Sequence, residues 1–185
     1  MAKKKLELYN IFGGAFLILL LSAELFSSTS DQQADGAKER SLTRLRELNA
    51  ELSFNKNGSL KGIDISEQNV VDNDMPNLSF FVELREFHGI YTQLNGRFLS
   101  NLKKCEKLEV LDLYAAPIED VELIKFKDAK NLKIVNLAGT KISDKSIKII
   151  ESWKKLEQLE VGSSKITAAG IEKLHKILPN VNIVP

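Results

Sequence analysis

The residues that could do chemistry in this chain are few, and they are regularly placed. Asp120 and Asp144 stand 24 residues apart, and Asp72 lies twice that distance before Asp120. General acid–base catalysis wants two carboxylates in unlike surroundings, so that one is protonated while the other is charged. A repeated spacing offers like surroundings instead. Ser100-Asn101-Leu102-Lys103 and Ser152-Trp153-Lys154-Lys155 match S-x-x-K, a serine nucleophile with a lysine base, but the companion S-D-N and K-T-G segments are missing. Cys105 is the one thiol, and no basic partner accompanies it at a repeat-matched position. One cysteine with His88 and His175 cannot supply a Cys/His zinc set. No phosphate loop, H-E-x-x-H or G-x-S-x-G occurs. The expectation is a chain with no catalytic residue, no metal and no cofactor, and not an enzyme.

The carboxylates are placed by a repeat. Counting from Leu132, leucine recurs every 24 residues at Leu60, Leu84, Leu108, Leu132 and Leu156. Offset three holds Ile63, Phe87, Leu111, Val135 and Leu159; offset five holds Ile65, Gly89, Leu113, Leu137 and Val161. Offsets ten, fifteen and eighteen are apolar in all five copies, from Val70, Met75 and Leu78 to Ile166, Ile171 and Leu174. Gly89 is the single exception among 30 positions, where a random scatter of a 43% hydrophobic composition would give about 13 apolar residues (0.43 × 30). Offsets three and five, alternating with polar neighbours, describe a strand with one buried face. Offsets fifteen and eighteen lie on one face of a short helix. Such a unit cannot bury its apolar side alone, so copies must stack into a solenoid with a parallel sheet. On this reading Asp72, Asp120 and Asp144, at offset twelve, stand at or near helix starts, where a carboxylate accepts free backbone N–H groups. Cys105 and Trp153, both at offset twenty-one, are read as core.

The ends differ from the repeats. Leu42, Leu45, Leu48 and Leu52 recur at helical spacing, and Asn57-Gly58 is a hairpin signal, so residues 41–59 are expected to form a helix-and-hairpin cap. Leu178-Pro179 should stop the last helix, and Val181, Ile183 and Val184 should start a terminal strand. Before the cap, Lys3, Lys4 and Lys5 precede an uncharged run from Ile11 to Ala23, the pattern of a signal peptide or an N-terminal membrane anchor over residues 1–26. Ser28 and Ser30 offer a small-x-small cleavage site before Asp31, with Ala23 a weaker one, and uncleaved, residues 11–26 would hold the chain in the membrane. Either fate puts the rest of the chain outside the cytoplasm. The polar run over residues 27–40 reads as a flexible linker.

The pattern L-x-x-L-x-L-x-x-x-x-I over this period resembles the leucine-rich repeat, and "TKISDKSI" and "PIEDVEL" resemble the subtype whose turn reads I-T-D. The chain is also similar to short bacterial repeat proteins with an N-terminal membrane segment, of the kind abundant in planctomycetes. The resemblance covers residues 60–185, and it implies an α/β leucine-rich repeat solenoid with a concave parallel sheet and short convex helices.

Function would then lie on the exposed strand face. Offset two supplies Glu86, Val110, Ile134 and Gln158, and offset four supplies Asp64, His88, Asp112, Asn136 and Glu160, with Tyr114 at offset six as an aromatic anchor. In-register strands would set the offset-four carboxylates about 9.6 Å apart, too far for Asp64, His88 and Asp112 to share one metal ion. With 26 basic and 25 acidic residues the net charge is +1, and no global field favours nucleic acid. The expected partner is a protein or a cell-envelope polymer. A structural envelope protein with no ligand, or an accessory subunit of an enzyme, are the alternatives.

Overall fold

A computed structural model describes residues 32–185. The candidate signal or anchor segment, residues 1–26, and the first residues of the expected linker lie outside the described residues. The chain divides into two compact units after Arg40. In the first unit residues 32–40 are helical, where the sequence suggests a flexible spacer. Gln, Ala, Lys, Glu and Arg all favour helix, so a polar composition that forbids burial does not forbid helix. Among the described residues no helix is long and apolar enough to cross a membrane.

The second unit opens with helical residues 41–47, of which Leu42 and Leu45 are buried. β1 (Glu51–Phe54) turns through Asn55 to Ser59 into β2 (Leu60–Asp64), and the two pair antiparallel. Asn55 Oδ1 accepts the N–H groups of Asn57 and Ser59, and Gly58 takes the left-handed conformation, φ 75°, that the turn requires. The expected helix-and-hairpin cap is therefore present.

From β2 onward every strand pair is parallel. β3 (Glu86–His88), β4 (Val110–Asp112), β5 (Ile134–Asn136), β6 (Gln158–Glu160) and β7 (Asn182–Val184) follow in spatial order, making one seven-stranded sheet. Ile63, Phe87, Leu111, Val135, Leu159 and Ile183 stand side by side in register, each 24 residues after the last. The chain crosses back through short helical segments: 3-10 turns at Asp72–Asp74, Leu78–Phe80 and Arg97–Lys104, then α1 (Asp120–Leu123), α2 (Ile147–Ile150) and the longer α3 (Ala168–Ile177). Most crossings hold fewer residues than a stable helix needs, so they are kept by packing rather than by propensity.

The core is the repeat made physical. All 29 apolar residues at the six repeat offsets are buried except Ile166 and Ile171, which are partly buried. Both belong to the fifth repeat, which among the described residues is followed by β7 alone. Gly89 replaces an apolar residue because its neighbour Phe87 is larger than the residues matched to it in the other repeats: a Cβ at 89 would meet Phe87, Leu94 and Leu113 at 3.3 Å each. Phe87 in turn packs on Phe98, ring centroids 5.0 Å apart.

One feature of every repeat carries no residue signature. Offset seven is left-handed throughout, at Glu67, Tyr91, Ala115, Gly139 and Ser163, with φ between 54° and 69°. For four of these residues the conformation costs about 1–2 kcal/mol. Offsetting it, the N–H of each of the first four donates to a carbonyl of the next repeat: Glu67 to Ile90, Tyr91 to Tyr114, Ala115 to Ala138 and Gly139 to Gly162, at 2.7–2.9 Å. In the first four repeats the bend that ends the strand is thus tied to the neighbouring repeat, and Ser163 makes the same bend without that bond.

Candidate functional site

The strand register places the predicted surface residues in two columns. Gly62, Glu86, Val110, Ile134, Gln158 and Asn182 are successive partners in one, and Asp64, His88, Asp112, Asn136, Glu160 and Val184 in the other. Apart from Gly62, which is buried, all of them are at least partly exposed, and Ile134 is 40% exposed, a large apolar side chain left in solvent.

Part of the second column is architecture. Asp64 Oδ1 accepts the Ser66 N–H at 2.9 Å, Asp112 Oδ1 the Tyr114 N–H at 3.0 Å and Asn136 Oδ1 the Ala138 N–H at 3.0 Å. Each is an Asx-turn that closes the strand end two residues on. Elsewhere Glu86 pairs with Lys61 at 3.0 Å, and Gln158 Nε2 donates to Glu160 at 2.9 Å.

Burial pushes the Asp112 carboxyl above the usual aspartate range, against the Tyr114 N–H, the nearby His88 and a hydrogen bond from Asn136 that favour its charge. A folded-state pKa raised above the unfolded value contributes stability that is fully present below the unfolded pKa and is lost as pH rises through the folded pKa. Asp112→Asn keeps an amide oxygen for the turn, as Asn136 does in the next repeat, and removes that loss. It is therefore expected to melt at or above the wild-type temperature at pH 7, with the difference vanishing below the ordinary aspartate pKa of about 3.9. A variant less stable at pH 7 than at pH 3, relative to wild type, would contradict this account.

The offset-twelve carboxylates accept free N–H groups, as expected, but from a different place. Asp72 and Asp120 are the first residues of their helical segments, Asp144 begins a 3-10 turn over Asp144–Ser146 that leads into α2, and the oxygens of each reach the following repeat. Asp72 accepts the N–H of Asn95 at 2.6 Å and of Phe98 at 2.8 Å. Asp120 accepts the Ser143 N–H at 2.8 Å, the Ser143 hydroxyl at 2.7 Å and the Ser146 hydroxyl. Asp144 accepts the Thr167 N–H at 2.9 Å and its hydroxyl at 2.8 Å. They are clasps between repeats rather than caps of their own helices.

The serines of both S-x-x-K segments are spent on backbone carbonyls, Ser100 on Arg97 and Ser152 on Lys127 and Ile149. Cys105 is buried and points its thiol at the Leu78 carbonyl, 3.5 Å away, and burial pushes its pKa up to about 12. A thiol-disulfide reagent at pH 8 should label it far more slowly in the native protein than in denaturant; equal rates would remove it from the core. It borders a groove of about 320 Å³ whose floor also includes Leu102, Phe126 and Ala129. Cys105 and Ala129 are the small occupants of offset twenty-one, where Phe81 and Trp153 fill the same place elsewhere.

Two further features escape the apolar pattern. From the second repeat onward offset one alternates in sign, with Arg85 bonded to Glu109 and Glu109 to Lys133 at 2.9 Å, and Lys133, first among its partners, holds the Glu109 carboxyl below the usual range. The complementary charges 24 residues apart were visible in the chain. The other is Tyr91, 56% exposed, whose ring meets Tyr114 edge-on with centroids 5.1 Å apart. Its signal was a large aromatic at offset seven, where the other copies have Glu, Ala, Gly and Ser.

No family model matches the chain, and no curated protein matches it. Among solved structures, an internalin of Listeria monocytogenes is similar with a TM-score of 0.57 at 16% identity, over 68% of this chain and 34% of that one. The leucine-rich repeat ectodomain of the receptor kinase SOBIR1 of Arabidopsis thaliana gives 0.43 at 18% identity over 73% and 76%, and a leucine-rich repeat protein of Leptospira interrogans 0.35 at 20% over 57% and 38%. At such identities the likeness is one of fold: residues 60–185 form a leucine-rich repeat solenoid. The chain spans about a third of the internalin's length.

Proposed function

We propose that this repeat domain is a non-catalytic binding module that takes a protein on its concave sheet, and that it does so outside the cytoplasm, reached by residues 1–26 acting as a signal peptide or an anchor. The observation that carries the binding reading is the pair of in-register columns: side chains from six strands form one continuous surface with no layer packed over it among the described residues. A protein partner suits it better than a small molecule, since the columns make an extended face instead of a closed pocket. The local chemistry is ordinary for such a surface, with apolar Val110 and Ile134 beside polar and charged neighbours.

The full chain used as bait should capture a protein from its native extract, and the triple variant Glu86→Gln, Asp112→Asn, Tyr114→Ala should lose that protein while keeping its melting temperature. Capture unaffected by the triple variant would move binding off the concave sheet, and no specific capture by the wild-type chain would favour the structural envelope role. For the N-terminus, membrane fractionation with N-terminal sequencing distinguishes an anchor, found intact in the membrane, from a cleaved signal, found as a soluble chain starting near Asp31.

A further inference from the structure

Tyr91 is an expensive residue in an exposed position. A left-handed backbone disfavours any residue with a Cβ, and Ala115, Gly139 and Ser163 make the same bend with small side chains. The bend therefore does not need an aromatic ring. More than half of Tyr91 is in solvent, and its ring contact among the described residues is Tyr114, at an interplanar angle of 82°. Two tyrosines on adjacent repeats thus leave ring surface open at the end of the concave sheet, where β3 and β4 finish.

The charge around them is one-sided. Offsets four to seven of the five repeats comprise 20 residues, and these include Asp64, Glu67, Asp112 and Glu160 but no lysine or arginine. The whole chain, by contrast, has 26 basic residues against 25 acidic. His88 is the single titratable base in the strip. The Glu67 carboxylate lies close enough to help raise the Tyr91 phenol pKa, behind the larger influence of the Tyr114 hydroxyl beside it. Asp112 is held at the foot of Tyr114 by its own bond to the Tyr114 N–H. An aromatic face with carboxylates at its edges and no lysine or arginine within its strip attracts a positive group, by ring quadrupole and by charge together.

We infer that the Tyr91–Tyr114 pair seats an arginine or lysine side chain of a partner polypeptide. This rests on the concave-face reading and narrows it: the partner is a protein with a basic segment that crosses the strand ends. Charge complementarity of the strip selects that occupant, since an acidic segment would face four carboxylates with no counter-charge.

The test uses the full chain and an amidated hexaarginine peptide, titrated calorimetrically at 0.15 M salt, with hexaglutamate as the opposite charge. Hexaarginine should bind and hexaglutamate should not. Tyr91→Ala places in repeat two the residue that repeat three already carries at this bend, so the fold is retained; it should weaken hexaarginine about fivefold, while Tyr91→Phe, which keeps the ring, stays within about twofold. Hexaarginine binding unchanged in Tyr91→Ala, or equal binding of hexaglutamate, would overturn the assignment. The two readings fail separately: if the Glu86, Asp112, Tyr114 variant still captures its protein, the concave-face reading falls; if it loses the protein while Tyr91→Ala affects neither capture nor hexaarginine, only the cationic seat falls.

Discussion

Trp153→Ala is expected to cost about 3–5 kcal/mol of stability, the range for deleting a fully buried large aromatic side chain. Trp153 has no exposed surface, and its indole N–H donates to the Phe126 carbonyl of the preceding repeat at 3.2 Å. Alanine would remove the packing of two adjacent repeats and leave that carbonyl without its partner. In a solenoid each repeat is held mainly by its neighbours, so the damage is concentrated at the repeat three to repeat four contact. The melting temperature should fall by roughly 10 °C or more. Trp153→Phe, which copies Phe81 at the matching position, should lose less than half as much. A drop of under 2 °C in Trp153→Ala would show that repeats three and four do not depend on this contact. The natural pair Cys105 and Ala129 shows what smallness at this offset does to the surface, since the groove opens beside them.

Asp120→Ala is the second large effect, expected at about 2–3 kcal/mol because a charged acceptor with several donors is removed and those donors are left without it. It should exceed Asp144→Ala, since Asp120 holds two residues of the next repeat, Ser143 and Ser146, whereas Asp144 holds only Thr167. Burial pushes the Asp120 carboxyl upward, but the bonds from Ser146 and Ser143, aided by Lys145, overcome it and hold it below the usual range. A depressed folded-state pKa contributes stability that is present above the unfolded pKa and lost as pH falls through the folded pKa. The penalty of Asp120→Ala should accordingly be largest near neutral pH and shrink on acidification from about pH 4 downward. Melting curves from pH 7 to pH 2 measure this directly. A penalty that grows in acid would mean that the carboxylate is not what the next repeat uses.

The same aspartates show where reading along the chain stops. At offset twelve an acidic residue before a short helix reads as the cap of that helix, because capping is a local rule connecting residues a few positions apart. The acceptor is used instead by groups 23 and 26 residues away, a distance no local rule covers. Offset four gave a similar lesson: Asp64, Asp112 and Asn136 stand on the expected face, yet an oxygen of each is committed to an Asx-turn. The exposed strand face is therefore less polar in effect than its residue types imply, and Tyr91 lies at its end, outside the columns the sequence singled out.

What the chain determined by itself was everything that depends on side-chain type and period. Apolar residues at six offsets in 24 specify which faces must be buried, and burial of those faces leaves stacking as the one way to exclude water; strand positions, register and core follow. The tertiary structure decided what depends on contacts between repeats. The left-handed bend at offset seven is bonded to a neighbour's carbonyl in four of the five copies and is taken by Glu, Tyr, Ala, Gly and Ser alike, so no residue type announces it. The clasping aspartates and the tyrosine pair are likewise properties of two repeats at once, and they exist only when the stack brings those repeats side by side.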